Sequence, residues 1–85
     1  MPTAYVLINC DLNRKTEVIR ELGQLAGLLE VSEVHGAYDI LVKLNQTSVD
    51  ELKETIKWHL KKISDIKSTV TLIAIEGADR GISQS

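Results

Sequence analysis

The stretch His35-Gly36-Ala37-Tyr38-Asp39-Ile40-Leu41-Val42-Lys43-Leu44-Asn45 decides the architecture of this chain. Tyr38, Ile40, Val42 and Leu44 fall on one face at period two, while Asp39, Leu41 and Lys43 take the other, which is the pattern of a strand with one core face and one mixed face. Val31-Ser32-Glu33-Val34, just upstream, is also strand-like. The residues around Gly36 therefore read as a hairpin or tight reversal joining two antiparallel strands.

Working outward, Thr3 to Cys10 forms a strand apolar on both faces, with Ala4, Val6, Ile8 and Cys10 on one side and Tyr5 and Leu7 on the other. Asp11 or Asn13 can cap a helix over residues 14 to 27, where Val18, Ile19, Leu22, Leu25, Ala26 and Leu29 recur at helical spacing. Gly23 weakens this helix and Gly27 is placed to end it. Glu30 to His35 is a short, more polar strand suited to an edge. Ser48-Val49-Asp50-Glu51 is a capping box, opening a helix to about Lys62 with Val49, Leu52, Ile56, Leu60 and Ile63 on one face. Ser68 to Ile75 is the last strand, with Thr69, Thr71, Ile73 and Ile75 on one side and Val70, Leu72 and Ala74 on the other. Residues 1–76 make one domain, and 77–85 read as a polar C-terminal tail.

This order, β-α-β-β-α-β, predicts an α+β, ferredoxin-like fold: a four-stranded antiparallel sheet with two helices on one face. The opposite face keeps a surplus of apolar groups. A second copy packed sheet to sheet would cover them, giving a dimeric alpha-beta barrel or sandwich. Tyr5, Leu7, Leu41 and Ile73 are the expected interface residues. Trp58 lies off the apolar stripe of its helix, and either covers the helix flank or marks a contact with another subunit.

Composition narrows the function classes. The chain has 85 residues and a formal charge of -2, from ten Lys+Arg against twelve Asp+Glu. No basic field is present to hold nucleic acid directly. One cysteine, Cys10, allows no intrachain disulfide and reads as a small buried or half-buried hydrophobe. The sequence has neither a signal-peptide pattern nor an apolar run of the roughly 20 residues a membrane helix needs, so the cytoplasm is the expected compartment. His35 and His59 are the only histidines, and no ligand cluster has metal-site spacing. No phosphate loop, zinc-protease motif or nucleophile elbow occurs, and no catalytic pair can be assigned. The chain is not expected to be an enzyme or to carry a cofactor.

The loop Gly36-Ala37-Tyr38-Asp39 is the remaining candidate site, with His35 beside it. Backbone N–H groups freed by the turn suit a carboxylate, and Asp39 suits an ammonium group, a combination that fits a zwitterionic amino acid. Thr69 and Thr71 can add hydroxyls if their face reaches the loop or a neighbour's loop. The competing reading is that Gly36 serves the turn and Asp39 fixes the hairpin through its backbone.

The segment Glu33 to Lys43 resembles the G-x-Y/F-D signature of the effector-binding domain in the leucine- and asparagine-responsive regulators, the Lrp/AsnC family. The likeness spans nearly the whole chain, from the first strand through Ser48 to Ser68-Thr69-Val70-Thr71. It implies dimers that assemble further, commonly into octamers, with amino-acid effectors bound between dimers. By that resemblance Gly36, Ala37 and Tyr38 line the backbone side of the site, Asp39 orients it or meets the amino group, and Thr69 and Thr71 lie near the last strand. The N-terminal helix-turn-helix of the full-length regulators is missing here, so the resemblance implies a stand-alone module that senses an amino acid and modulates transcription by co-assembly with a full-length regulator. The alternatives are a purely structural oligomeriser and an ACT-like regulatory subunit of a metabolic enzyme.

Overall fold

The computed structural model describes residues 1–74. Its elements are β1 (Thr3–Cys10), a 3-10 turn (Leu12–Arg14), α1 (Lys15–Leu22), β2 (Leu28–Glu33), β3 (Ile40–Asn45), α2 (Val49–Lys61) and β4 (Ile66–Ala74). The strands form one antiparallel sheet in the order β2-β3-β1-β4. This is the expected α+β, ferredoxin-like arrangement, with the chain's first strand at the centre and β2 and β4 at the edges.

Strand alternation dictates which face is covered. Ala4, Val6, Ile8 and Cys10 of β1 and Ile40, Val42 and Leu44 of β3 point to one side. There they join Val18 and Leu22 of α1, Leu52 and Ile56 of α2, and the loop residues Leu25 and Ile63 in a single core. Both helices therefore serve one face. α2 starts where the capping box requires: the Ser48 hydroxyl accepts the Glu51 N–H at 3.1 Å, satisfying an otherwise orphan helix donor. Asp11 caps the 3-10 turn by accepting from the Asn13 N–H at 3.0 Å.

Among the described residues, the other face of the sheet carries no helix. Across it run two rows, Glu30–Lys43–Tyr5–Leu72 and Ser32–Leu41–Leu7–Val70, fixed by the strand registers. Tyr5, Leu7 and Leu41 are half-buried, while Leu72 remains 56% exposed. The Lys43 ammonium lies 5.8 Å from the Tyr5 ring centre. An apolar patch with Glu30, Ser32, Asn9 and Ser68 at its margin is thus the open side of the molecule.

Several sequence expectations shift. α1 ends at Leu22, not near Gly27, because Gly23 is its C-cap and the chain then tightens, with Leu25 N–H bonding to Leu22 at 3.1 Å so that Leu25 is buried. Gly27 instead occupies a turn at φ +79°, where a Cβ would sit 2.0 Å from the Asn45 carbonyl oxygen. Ala26 is exposed, and Leu29 is not a helical core residue but lies at an irregularity in β2, 53% exposed. β2 and β3 run Leu28–Glu33 and Ile40–Asn45, so six loop residues separate them and no tight reversal forms. Tyr38 accordingly sits in the loop, half-exposed, and not on the core face. Val49, at the first turn of α2, is exposed. β4 begins two residues early, at Ile66. Ile75 and the polar segment from Glu76 to Ser85, including the expected boundary at 76 and 77, lie outside the described residues.

The separation of core from surface makes a direct prediction. Leu52→Ala empties a fully buried position and should cost about 2–5 kcal/mol in urea denaturation, whereas Leu12→Ala, on an exposed residue, should stay within about 0.5 kcal/mol. Equal effects would contradict the core described here.

Candidate functional site

The loop from Val34 to Asp39 is built at the end of the sheet where β1 finishes. Asp39 fastens it there. Its N–H donates to the Ile8 carbonyl at 3.0 Å, its carbonyl accepts from Val34 N–H at 2.9 Å, and its Oδ2 accepts from Cys10 N–H at 3.2 Å. The carboxylate thereby prolongs the β1–β3 ladder by one side-chain rung, bonding to β1 and not to the hairpin's own backbone, where the competing sequence reading placed it. Among the described residues, Oδ1 has no hydrogen-bond partner.

Gly36 sits at φ +128°, a conformation side-chain-bearing residues rarely adopt, and a Cβ built there meets nothing within 4 Å. The glycine is needed for backbone shape and not for space. His35, Gly36 and Ala37 are exposed, and Tyr38 is half-exposed. One subunit thus presents an open backbone arch with a carboxylate at its foot. Such an arch cannot enclose a ligand on its own.

Charges of both signs surround the arch. Lys15 pairs with Glu33 at 3.1 Å and Arg14 with Asp65 at 3.3 Å, both at the surface and worth little in stability. Cys10, beneath Asp39, is buried, and its thiol pKa is raised chiefly by that burial and secondarily by the Asp39 charge. It is an inert packing group, as the sequence suggested.

The remaining residues singled out from sequence do not gather at the arch. Thr69 and Ile40 both pair with Ile8, so the whole width of β1 separates Thr69 from the loop. Thr71 is farther along β4, opposite Val6. In one subunit these hydroxyls cannot share a ligand with Asp39. Ile73 pairs with Ala4 and packs against the core, on the helix side of the sheet, whereas Tyr5, Leu7 and Leu41 share the open side. Trp58 is 57% exposed; its indole N–H donates to Glu54 at 2.7 Å, and the Lys57 and Lys61 ammonium groups lie 5.8 and 5.9 Å from its ring. His59 lies between the helices, its Nε2 3.4 Å from the Glu21 carbonyl oxygen.

Sequence reasoning missed Gln46. Its side-chain amide donates to the Ala26 carbonyl at 2.9 Å and to Thr55 at 2.8 Å, tying the turn after α1 to α2 at the end of the sheet far from the arch. No local pattern announces a glutamine whose partners are 20 and 9 residues away. Among the described residues no group of three His, Cys, Asp or Glu side chains is placed to hold a metal ion, and no helix is long and apolar enough to cross a membrane.

The described residues thus make a small ferredoxin-like domain with an open apolar sheet face and an exposed glycine arch, and comparison with known proteins gives its family. The model of the Lrp/AsnC ligand binding domain matches residues 3–81. The chain belongs to that family. Among solved structures it is similar to TTHA0845 from Thermus thermophilus, at 29% identity and a TM-score of 0.84, over 94% of this chain and all of that one. E. coli AsnC shares the fold at 23% identity and a TM-score of 0.80, the match covering 91% of this chain and 52% of that chain. Among curated proteins, the homocitrate synthase of Sulfurisphaera tokodaii is 32% identical over 74 residues, 86% of this chain. The chain spans only 16% of the length of that enzyme.

If Asp39 is the latch described, Asp39→Ala leaves the Cys10 N–H without its acceptor and should cost about 1–3 kcal/mol in urea unfolding. Asp39→Asn retains an acceptor oxygen and should cost clearly less. An unchanged midpoint for the alanine variant would rule the latch out.

Proposed function

We propose that this domain is an amino-acid effector-binding and oligomerisation module that biases the activity of a larger assembly. The carrying observation is the arch itself, an exposed glycine-shaped loop with one carboxylate oxygen uncommitted among the described residues, left open in a single subunit. A neighbouring subunit packed against it would convert the arch into a closed pocket. Backbone N–H groups would then receive the ligand carboxylate, and Asp39 Oδ1 its ammonium group. Thr69 and Thr71 enter this reading only from a neighbouring subunit.

Family membership supports effector binding. Co-assembly with a full-length Lrp/AsnC regulator, through dimers built on the open sheet face, is the reading we favour for the output, which would be transcriptional. The match to a sixth of homocitrate synthase supports a second reading, in which the same kind of domain regulates a metabolic enzyme. Both use one device: ligand at a subunit boundary alters how subunits pack.

Native mass spectrometry with each proteinogenic amino acid tests the proposal. One amino acid should add one molecule per subunit or change the subunit number. Asp39→Asn should keep the assembly but lose about tenfold or more in affinity for it, because the carboxylate's charge is gone while the latch acceptor remains. An assembly that ignores every amino acid would overturn the sensor reading.

A further inference from the structure

A second feature, distinct from the arch, lies where α2 flanks β4. Two adjoining grooves of about 380 and 320 Å³ run along this seam and share Ile56 and Lys57. Lys53 faces Thr71 and Ile73 at one end, and Lys61 faces Ile66 and Lys67 at the other, so α2 and β4 run antiparallel beside the groove. The floor is apolar, formed by Ile56, Leu60, Ile66 and Ile73. Among the described residues, none of Lys53, Lys57, Lys61 and Lys67 pairs with a carboxylate. β4 is also an edge strand, with its outer backbone groups unpaired among those residues.

Spacing says what fits. Lys53, Lys57 and Lys61 recur every four residues on a helix, a rise of about 6 Å per step. Same-face side chains of an extended strand recur every two residues, about 6.7 Å. A strand laid along β4 with a carboxylate at every second position would therefore meet the three ammonium groups nearly in step. We propose that this seam takes an acidic extended segment of a partner protein, added to β4 as a fifth strand. Backbone pairing to β4 holds it, the lysines select its charge, and the apolar floor takes the methylene stems of its acidic side chains.

A second copy of this chain is a poorer occupant. Its own free edge, β2, places Val31 and Glu33 on the helix side, and that single carboxylate is already paired with Lys15. Nucleic acid is disfavoured by the net charge of -2 and by the apolar floor.

The test uses a fluorescent alternating Glu-Val peptide of about six residues, long enough to reach all three lysines, in anisotropy titrations of the intact protein. The peptide should bind, and K53E/K57E/K61E should weaken it about tenfold or more without changing subunit number or thermal midpoint. Methylating alternate peptide amides should abolish binding, and the bound peptide should slow hydrogen exchange at outward-facing β4 amides. Lysine-to-glutamine variants at the same three positions provide a gentler check should the charge reversals fail to fold, and should also weaken binding. No binding to the wild-type protein, binding that the lysine variants leave unchanged, or equal binding of a single-stranded oligonucleotide would overturn the proposal.

Discussion

Among the described residues the helices lie on one side of the sheet only, and the rest of this molecule follows from that constraint. The covered face holds the core and closes around Ile8, Val42, Leu44 and Leu52. The uncovered face leaves Leu7, Leu41, Val70, Tyr5 and Leu72 against water. At about 25 cal/mol per Å² of apolar surface, covering that patch is a substantial gain for a domain this small, whose single core leaves it marginal. Apolar centre and polar margin together have the anatomy of an interface, which is why the proposed assembly is built on this face.

The arch draws its character from the same sheet. β1, held between β3 and β4, is one of the two interior strands, and Asp39 ties the loop to its last residues. The tie uses one carboxylate oxygen and leaves the other pointing elsewhere, so a single residue can serve both folding and recognition. The latch to β1 and the proposed ligand role are therefore compatible. The geometry also separates the arch from the α2–β4 seam, with β1 lying between them. Ligand at one and partner at the other would communicate only through the sheet and its packing.

Much of the fold was legible because it rests on periodicity and capping. The period-two alternation of β1 and β3 grouped the residues that share a face, with Tyr38 the exception, and Ser48 with Glu51 marked the start of α2. Element ends were less legible, because long-range contacts decide them. α1 stops at Gly23 so that Leu25 can reach the core, and Gly27 turns under the carbonyl of Asn45, a partner far along the chain. The hairpin lengthened for a similar reason: Asp39 bonds to β1, a strand that no local reading of the loop contains. At the candidate site, sequence singled out the glycine and the acid but not their separation from Thr69 and Thr71, which depends on strand order. Ile73 shows the same limit. Alternation grouped it correctly with Thr69 and Thr71, yet only the register with Ala4 shows that this group lies on the helix side.

The most direct test of the account is sedimentation equilibrium of the wild-type protein beside Leu7→Asp and Leu72→Lys, with circular dichroism to confirm folding. An open apolar face of this kind predicts a wild-type dimer or larger assembly at micromolar concentration, and folded variants shifted toward monomer. A wild-type monomer, or variants that assemble as the wild type does, would contradict it.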